Sequence, residues 1–216
     1  TDPARRCAAL ERQVEYLDVA RRALAPPTPR LLLMHGVSGS GKTWLARQLA
    51  RRLPAVHLRS DLERKRLAGL APLAASGSLP GAGLYTDDTG DRTYVRLEAA
   101  VRDALAGGQS VICDATFLAR TRRAAFRRAA DEMGAPTLLL HCTAPENELH
   151  ARLRARRSTG DDPSEADEAV LDWQRRHADP LLPEEGITVV ELDTSVPEPL
   201  DAALSQLATQ GLAEPS

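Results

Sequence analysis

Residues Gly36 to Thr43 read Gly-Val-Ser-Gly-Ser-Gly-Lys-Thr, set between an apolar run, Leu31-Leu32-Leu33-Met34, and a stretch of helical spacing that opens at Trp44. A chain with this segment in this setting is confined to folds in which a buried strand feeds a tight turn and the turn feeds a helix. The glycines let consecutive backbone N–H groups point at phosphate oxygens, Lys42 reaches the outer phosphates, and the Thr43 hydroxyl is placed to ligand Mg²⁺. The expected phosphate-binding set is therefore Gly36, Val37, Ser38, Gly39, Ser40, Gly41, Lys42, Thr43 and Trp44, and the ligand is a nucleoside triphosphate. With 14 Gly and only two Lys, Lys42 and Lys65, the chain would produce Gly-x4-Gly-Lys-[Ser/Thr] by accident about once in a thousand such sequences. That rarity, together with the Leu45, Leu49, Leu53 spacing downstream, argues against a merely flexible Gly/Ser turn.

The remaining pattern sets the fold class. Apolar runs at 31–35, 55–58, 110–113, 137–142 and 187–192 alternate with helical patterns at about 42–53, 60–68, 91–106, 119–133, 145–157, 164–178 and 198–210. Five strands separated by helices predict an α/β three-layer sandwich around a parallel sheet. A leading amphipathic helix is expected over Ala4 to Ala25, with Leu10, Val14, Leu17 and Leu24 on its apolar face, closed by Pro26, Pro27 and Pro29. This divides the chain into residues 1–27, a nucleotide-binding domain over 28–211 with a helical lid at about 152–166, and a frayed tail over 212–216. Residues 68–83 are rich in Gly, Pro, Ser and Ala and are expected to form an irregular excursion. A first residue of Thr rather than Met suits a chain that belongs to a longer protein.

Composition removes several classes. A single soluble domain is expected from 216 residues that are 43% hydrophobic and 27% charged. No stretch approaches the ~20 apolar residues of a membrane span, and three distant cysteines, Cys7, Cys113 and Cys142, fit a reducing cytoplasm. Nucleic-acid affinity does not follow from the net charge of −2, and an aromatic content of 3% offers little for base stacking.

A second part of the site is expected at the tip of the third strand, where Asp114 closes Val111-Ile112-Cys113-Asp114 and would hold Mg²⁺; a capping or loop-ordering role is the competing reading. Ala115 stands where ATP-hydrolysing motors carry a glutamate, so transfer to an acceptor is favoured over hydrolysis, and the lack of an Asn-Lys-x-Asp segment favours ATP over GTP. After the second strand comes Ser60-Asp61-Leu62-Glu63-Arg64, on the sheet edge that also carries the phosphate loop. Asp61 and Arg64 share a helix face and could serve an acceptor hydroxyl, or Ser60 and Glu63 could form a capping box with Asp61 favouring the helix start. Arg152, Arg154, Arg156 and Arg157 precede a polar hinge, Ser158 to Pro163. Arg152 and Arg156 share a face and suit charge on a transferring phosphoryl group; the plain alternative is a solvated basic face paired with Asp161, Asp162 and Glu165. Tyr85, Asp87, Asp88, Asp91, Arg92 and Tyr94, with Thr116 and Arg120, form a candidate acceptor rim. The five histidines lack metal-ligand spacing, and Trp173 reads as a packing anchor, with base stacking as the alternative.

Taken together, Gly36 to Thr43, Ser60-Asp61-x-x-Arg64, Val111 to Thr116 and the arginine cluster resemble the P-loop kinase group that contains polynucleotide 5′-kinases, zeta toxins and gluconate kinases, over roughly residues 30–195. Within it, the chain is most similar to the ATP-binding half of two-part bacterial proteins whose other half resembles aminoglycoside phosphotransferases. The resemblance implies ATP and Mg²⁺ as cofactors, Asp61 as general base, Arg64 as a contact to a phosphate of the acceptor, and Lys42, Arg152 and Arg156 as the cations of transfer. It implies a hydroxyl acceptor, small molecule or nucleic acid, without fixing which. A polynucleotide 5′-hydroxyl kinase and a regulatory ATP-binding module stay open.

Overall fold

The computed structural model describes residues 12–14, 16–17, 28–74, 87–159, 164 and 166–210. Its centre is a five-stranded, wholly parallel sheet of β1 (Leu31–His35), β2 (Ala55–Arg59), β3 (Ser110–Asp114), β4 (Thr137–Thr143) and β5 (Thr188–Asp193), in the order β2-β3-β1-β4-β5. Among the described residues seven helices run from Lys42 onward: α1 (Lys42–Arg52), α2 (Ser60–Leu67), α3 (Asp87–Ala106), α4 (Arg120–Glu132), α5 (Glu146–Thr159), α6 (Glu168–His177) and α7 (Pro199–Thr209), with a 3₁₀ turn at Pro183–Glu185.

Strand periodicity sorts the core into two faces. Leu31, Leu33, Val111, Cys113 and Leu139 point to one face, where α3 and α4 cover them with Tyr94, Leu97, Val101 and Phe126. Leu32, Met34, Ile112, Leu140 and Cys142 point to the other, beneath Leu45 and Leu49 of α1 and Ala203 and Leu207 of α7. Every residue of β1 is buried, as a central strand sandwiched by helices requires. Chain connections run in opposite directions from β1 toward β3 and toward β4, so the crevice beyond the strands' carboxyl ends opens at the phosphate loop.

Several expectations shift. Residues 12–14 and 16–17 are helical, but Val14 and Leu17 are 65% and 63% exposed, so those two do not pack on the described core. The remainder of the leading helix, Pro26 and Pro27, residues 75–86 and the tail from 211 lie outside the described residues. Helix α5 runs on to Thr159, so Ser158 and Thr159 belong to the helix rather than to a hinge; Asp161, Asp162 and Glu165 are outside the description. Cys113 and Cys142 are free and buried, and burial pushes the Cys142 thiol up to about 12.

Candidate active site

At the carboxyl end of the sheet lies a cavity of about 510 Å³. Its walls bring together Lys42 and Thr43 from the start of α1, Asp61 from the first turn and Arg64 from the last turn of α2, Asp114 from the tip of β3, and Arg152 and Arg156 from α5. Trp44 also lines it and is 47% exposed.

The phosphate loop is shaped by glycines in backbone conformations that side chains disfavour. Gly36, Gly39 and Gly41 have φ of +136°, +84° and +80°. Their neighbours allow no Cβ: a methyl group on Gly36 would drive into the Cys142 carbonyl, and one on Gly39 or Gly41 would come within 2.9 Å of the Leu149 carbonyl or 2.8 Å of the Thr194 hydroxyl. Side chains from distant elements then brace the loop. Gln174 of α6 accepts a 2.7 Å hydrogen bond from the Ser38 amide. Arg152 donates to the Gly39 carbonyl (3.3 Å), the Thr194 hydroxyl (2.8 Å) and the Thr194 carbonyl (3.0 Å), and Thr194 itself donates to the Ser40 carbonyl. Lys42 is buried and folds over its own loop, donating to the Val37 carbonyl at 2.7 Å. Burial lowers its pKa, and Asp114 is the main group opposing that shift.

Asp114 is 4% exposed, with His57 Nε2 and Arg59 Nε each 3.6 Å from its Oδ2. Burial pushes its carboxyl up, but His57, Lys42 and Thr43 together outweigh that and hold it below the ordinary carboxylate range. The parallel register of β2 on β3, with Arg59 opposite Asp114, is what sets these two side chains beside it. Asp114 and Thr43 fit a Mg²⁺ ion held largely by phosphates and water, since among the described residues no three His, Cys, Asp or Glu side chains converge into a metal cage.

Asp61 accepts a 2.9 Å bond from Arg64 Nη1. The capping-box alternative fails: Arg59 occupies the cap position, Ser60 is already helical and buried, and Glu63 faces Arg66 and Arg96 (3.3 Å to the latter) instead of reaching back. Arg156 donates to the Ala166 carbonyl, and Arg154 pairs with Glu168 at 3.1 Å. A second, adjoining cavity of about 360 Å³ is edged by Gly41, Trp44, Arg152, Thr194 and Pro199.

Of the candidate rim, Tyr94 and Thr116 line the main cavity, and the Tyr94 hydroxyl lies 3.4 Å from Thr116 Oγ1. Arg120 does not line it; Arg122 does, with Cζ 4.0 Å from the centroid of the Tyr94 ring. Tyr85 falls outside the described residues. Trp173, expected as a packing anchor, is instead 47% exposed at the cavity wall and stacks on His177 with centroids 4.6 Å apart. Sequence reasoning also missed Arg123, which is fully buried, bonds both Glu185 oxygens at 2.7 Å, and donates to the Phe117 and Leu118 carbonyls at 3.0 and 2.9 Å. It staples the loop after Asp114 to the segment 179–185. No sequence signal separates Arg123 from the other arginines of α4.

No described helix is long and apolar enough to cross a membrane. An uncharacterized protein of Mycobacterium tuberculosis is 29% identical over 169 residues, covering 76% of this chain and 34% of that protein, so the chain spans about a third of the length of the curated relatives it matches. A gluconokinase from Sinorhizobium meliloti 1021 superposes with a TM-score of 0.56 at 25% identity, over 85% of this chain and 94% of that one. The Mycobacterium tuberculosis APS kinase, solved with AMPPNP and APS, superposes with a TM-score of 0.57 at 18% identity, over 86% and 99%. Residues 31–181 match the family model AAA_33, described as an AAA domain; with more than half of its length matched, the chain belongs to that family and has the P-loop kinase fold.

Proposed function

We propose that this protein is an ATP-dependent kinase that moves the γ-phosphoryl group to a hydroxyl of an acceptor seated between α2, α3 and α4. The observation that carries the reading is that Lys42, Asp61, Asp114 and Arg156 line one cavity. In the reaction the acceptor oxygen bonds to the γ-phosphorus as the bond from that phosphorus to the β,γ-bridging oxygen breaks; ADP leaves, and the hydroxyl proton passes to the Asp61 carboxylate. The loop amides and Lys42 hold the phosphates, Arg64 orients Asp61, and Arg156 offsets charge on the transferring group. Arg152, already bonded to Gly39 and Thr194, stiffens the loop and edges the smaller cavity, which suits the nucleotide base. When bound, Mg²⁺ neutralises phosphate charge, with Thr43 and Asp114 as its protein partners.

The kinase fold of the gluconokinase and the APS kinase supports this reading. We also propose that the chain acts in the cytoplasm as the ATP-binding part of a longer two-part protein, a reading supported by the partial coverage of its relatives.

Incubation with γ-labelled ATP and Mg²⁺ against pooled sugars, nucleosides, aminoglycosides and 5′-hydroxyl oligonucleotides tests the function. Label should enter an acceptor, and Lys42→Ala should lower transfer by about 10³-fold with the fold intact. Label in an oligonucleotide alone would identify a polynucleotide kinase. Tight ATP binding with no labelled product, unaffected by Lys42→Ala, would reject the enzyme.

A further inference from the structure

We propose that the acceptor half of the cavity holds a subsite for an anionic group centred on Arg122, so that the acceptor is a compact hydroxyl compound carrying a carboxylate or a phosphate. The inference rests on the kinase reading and adds the acceptor's chemical class to it.

Arg122 stands in the first turn of α4 and lines the cavity with Asp61, Arg64, Gly90 and Tyr94. Its guanidinium lies over the face of Tyr94, and that ring is itself fixed. Phe117 and Phe126 pack edge-on against it at 5.5 and 6.1 Å, and its hydroxyl accepts from the Phe117 amide at 3.3 Å. Gly90 of α3 makes the room: a Cβ there would sit 3.3 Å from Arg122 Nη2. Glycine is a poor helix residue, and here its missing side chain is the space the guanidinium uses.

The other arginines of the cavity are assigned to the phosphoryl transfer or brace other groups. Arg64 holds Asp61, Arg152 holds Gly39 and Thr194, and Arg156 meets the Ala166 carbonyl. Arg122 meets the Asp91 carboxylate at 3.1 Å, and Asp91 is 72% exposed. An ion pair with so wet a partner is weak and exchanges readily for a ligand anion of matching planar or tetrahedral geometry. Arg122 is carried by α4 and packs on Tyr94 of α3, whereas the loop amides and Lys42 that would hold the triphosphate belong to the turn after β1 and to α1, so an anion at Arg122 is assigned to the acceptor. A space of about 510 Å³ shared with the triphosphate suits a compact acceptor.

The test uses the full chain, its Arg122→Met and Arg122→Lys variants, and two matched pairs of probes: D-gluconate against sorbitol, and D-glucose 6-phosphate against glucose. Acceptor-dependent ADP release is followed with Mg·ATP, and binding is followed by calorimetry with Mg·AMPPNP. One anionic probe should exceed its neutral partner by about 30-fold in kcat/KM, as a charge-assisted contact implies. Whether gluconate or glucose 6-phosphate does so separates carboxylate from phosphate. Arg122→Met should raise KM for that probe by about 30-fold with kcat within about 3-fold, and Arg122→Lys should recover part of the loss. Equal use of the neutral probes, an unchanged KM in Arg122→Met, or no binding of either anion overturns the proposal. Anion binding that depends on Arg122 without any ADP release would uphold the subsite while rejecting the kinase.

Discussion

In the half of the cavity assigned to the nucleotide the wall is a backbone turn, shaped by glycines at positive φ and braced by Gln174, which accepts from the Ser38 amide, and by Arg152 and Thr194, which donate to the Gly39 and Ser40 carbonyls. In the half assigned to the acceptor the wall is made of side chains, Asp61, Arg64, Tyr94 and Arg122, carried by three helices. The shape of the first half depends mainly on the path of the chain; the second can be altered one side chain at a time. A scaffold divided in this way keeps one cosubstrate constant and leaves the other open to change.

The sharpest way to break that contrast is at Arg123, whose buried ion pair with Glu185 fixes the Phe117 and Leu118 carbonyls on the acceptor side. Arg123→Met should cost about 3–5 kcal/mol in denaturant unfolding, because it leaves Glu185 without its partner. Nucleotide affinity, measured where the variant is still folded, should change by less than about 3-fold, since no atom of the phosphate loop rests on Arg123. A large loss of nucleotide affinity would mean that the halves are not separable.

Gly36→Ala probes the other side. The strained φ and the collision with the Cys142 carbonyl should together disfavour the loop by about 3 kcal/mol, lowering ATP affinity in a binding titration by roughly 10²-fold. Unchanged affinity would show that the loop is not fixed by its glycines.

A smaller effect is expected beneath the loop, at His35. Its ring is buried without a hydrogen-bond partner, 4.7 Å from the ring of His141, and burial, reinforced by His141, lowers its pKa to about 3. The unfolded chain takes up a proton on this ring near pH 6.5 and the native protein does not, so the contribution to stability is complete above about pH 6.5 and declines as pH falls toward 3. Between pH 7 and 5 the protein should lose about 2 kcal/mol more than His35→Leu, read from unfolding curves at both pH values. Parallel losses in the two proteins would contradict this.

What could be read in the sequence follows the same division. The strand, glycine turn and helix around Gly36 to Thr43 are written in consecutive residues, and apolar periodicity marks all five strands to within a residue or two. Asp61, Arg64 and Asp114 are legible because each ends or follows a strand, and a parallel sheet brings all strand ends to one edge. Contacts between remote positions left no such trace. Gln174 and Ser38 are 136 residues apart, and the preference for Arg122 over Arg120 depends on which face of α4 turns to Tyr94. The capping box at Ser60 was plausible locally but lost to the attraction of Glu63 for Arg66 and for Arg96 of the neighbouring α3.

In the proposed reaction the carboxylate of Asp61 takes the proton of an acceptor hydroxyl beside a triphosphate bound at Lys42. Asp61→Asn keeps the shape and removes the base. With a labelled acceptor in hand, the account predicts ATP affinity within about 2-fold of the parent protein and acceptor-dependent ADP release reduced by about 10²- to 10⁴-fold. Transfer by Asp61→Asn at close to the parent rate would contradict it.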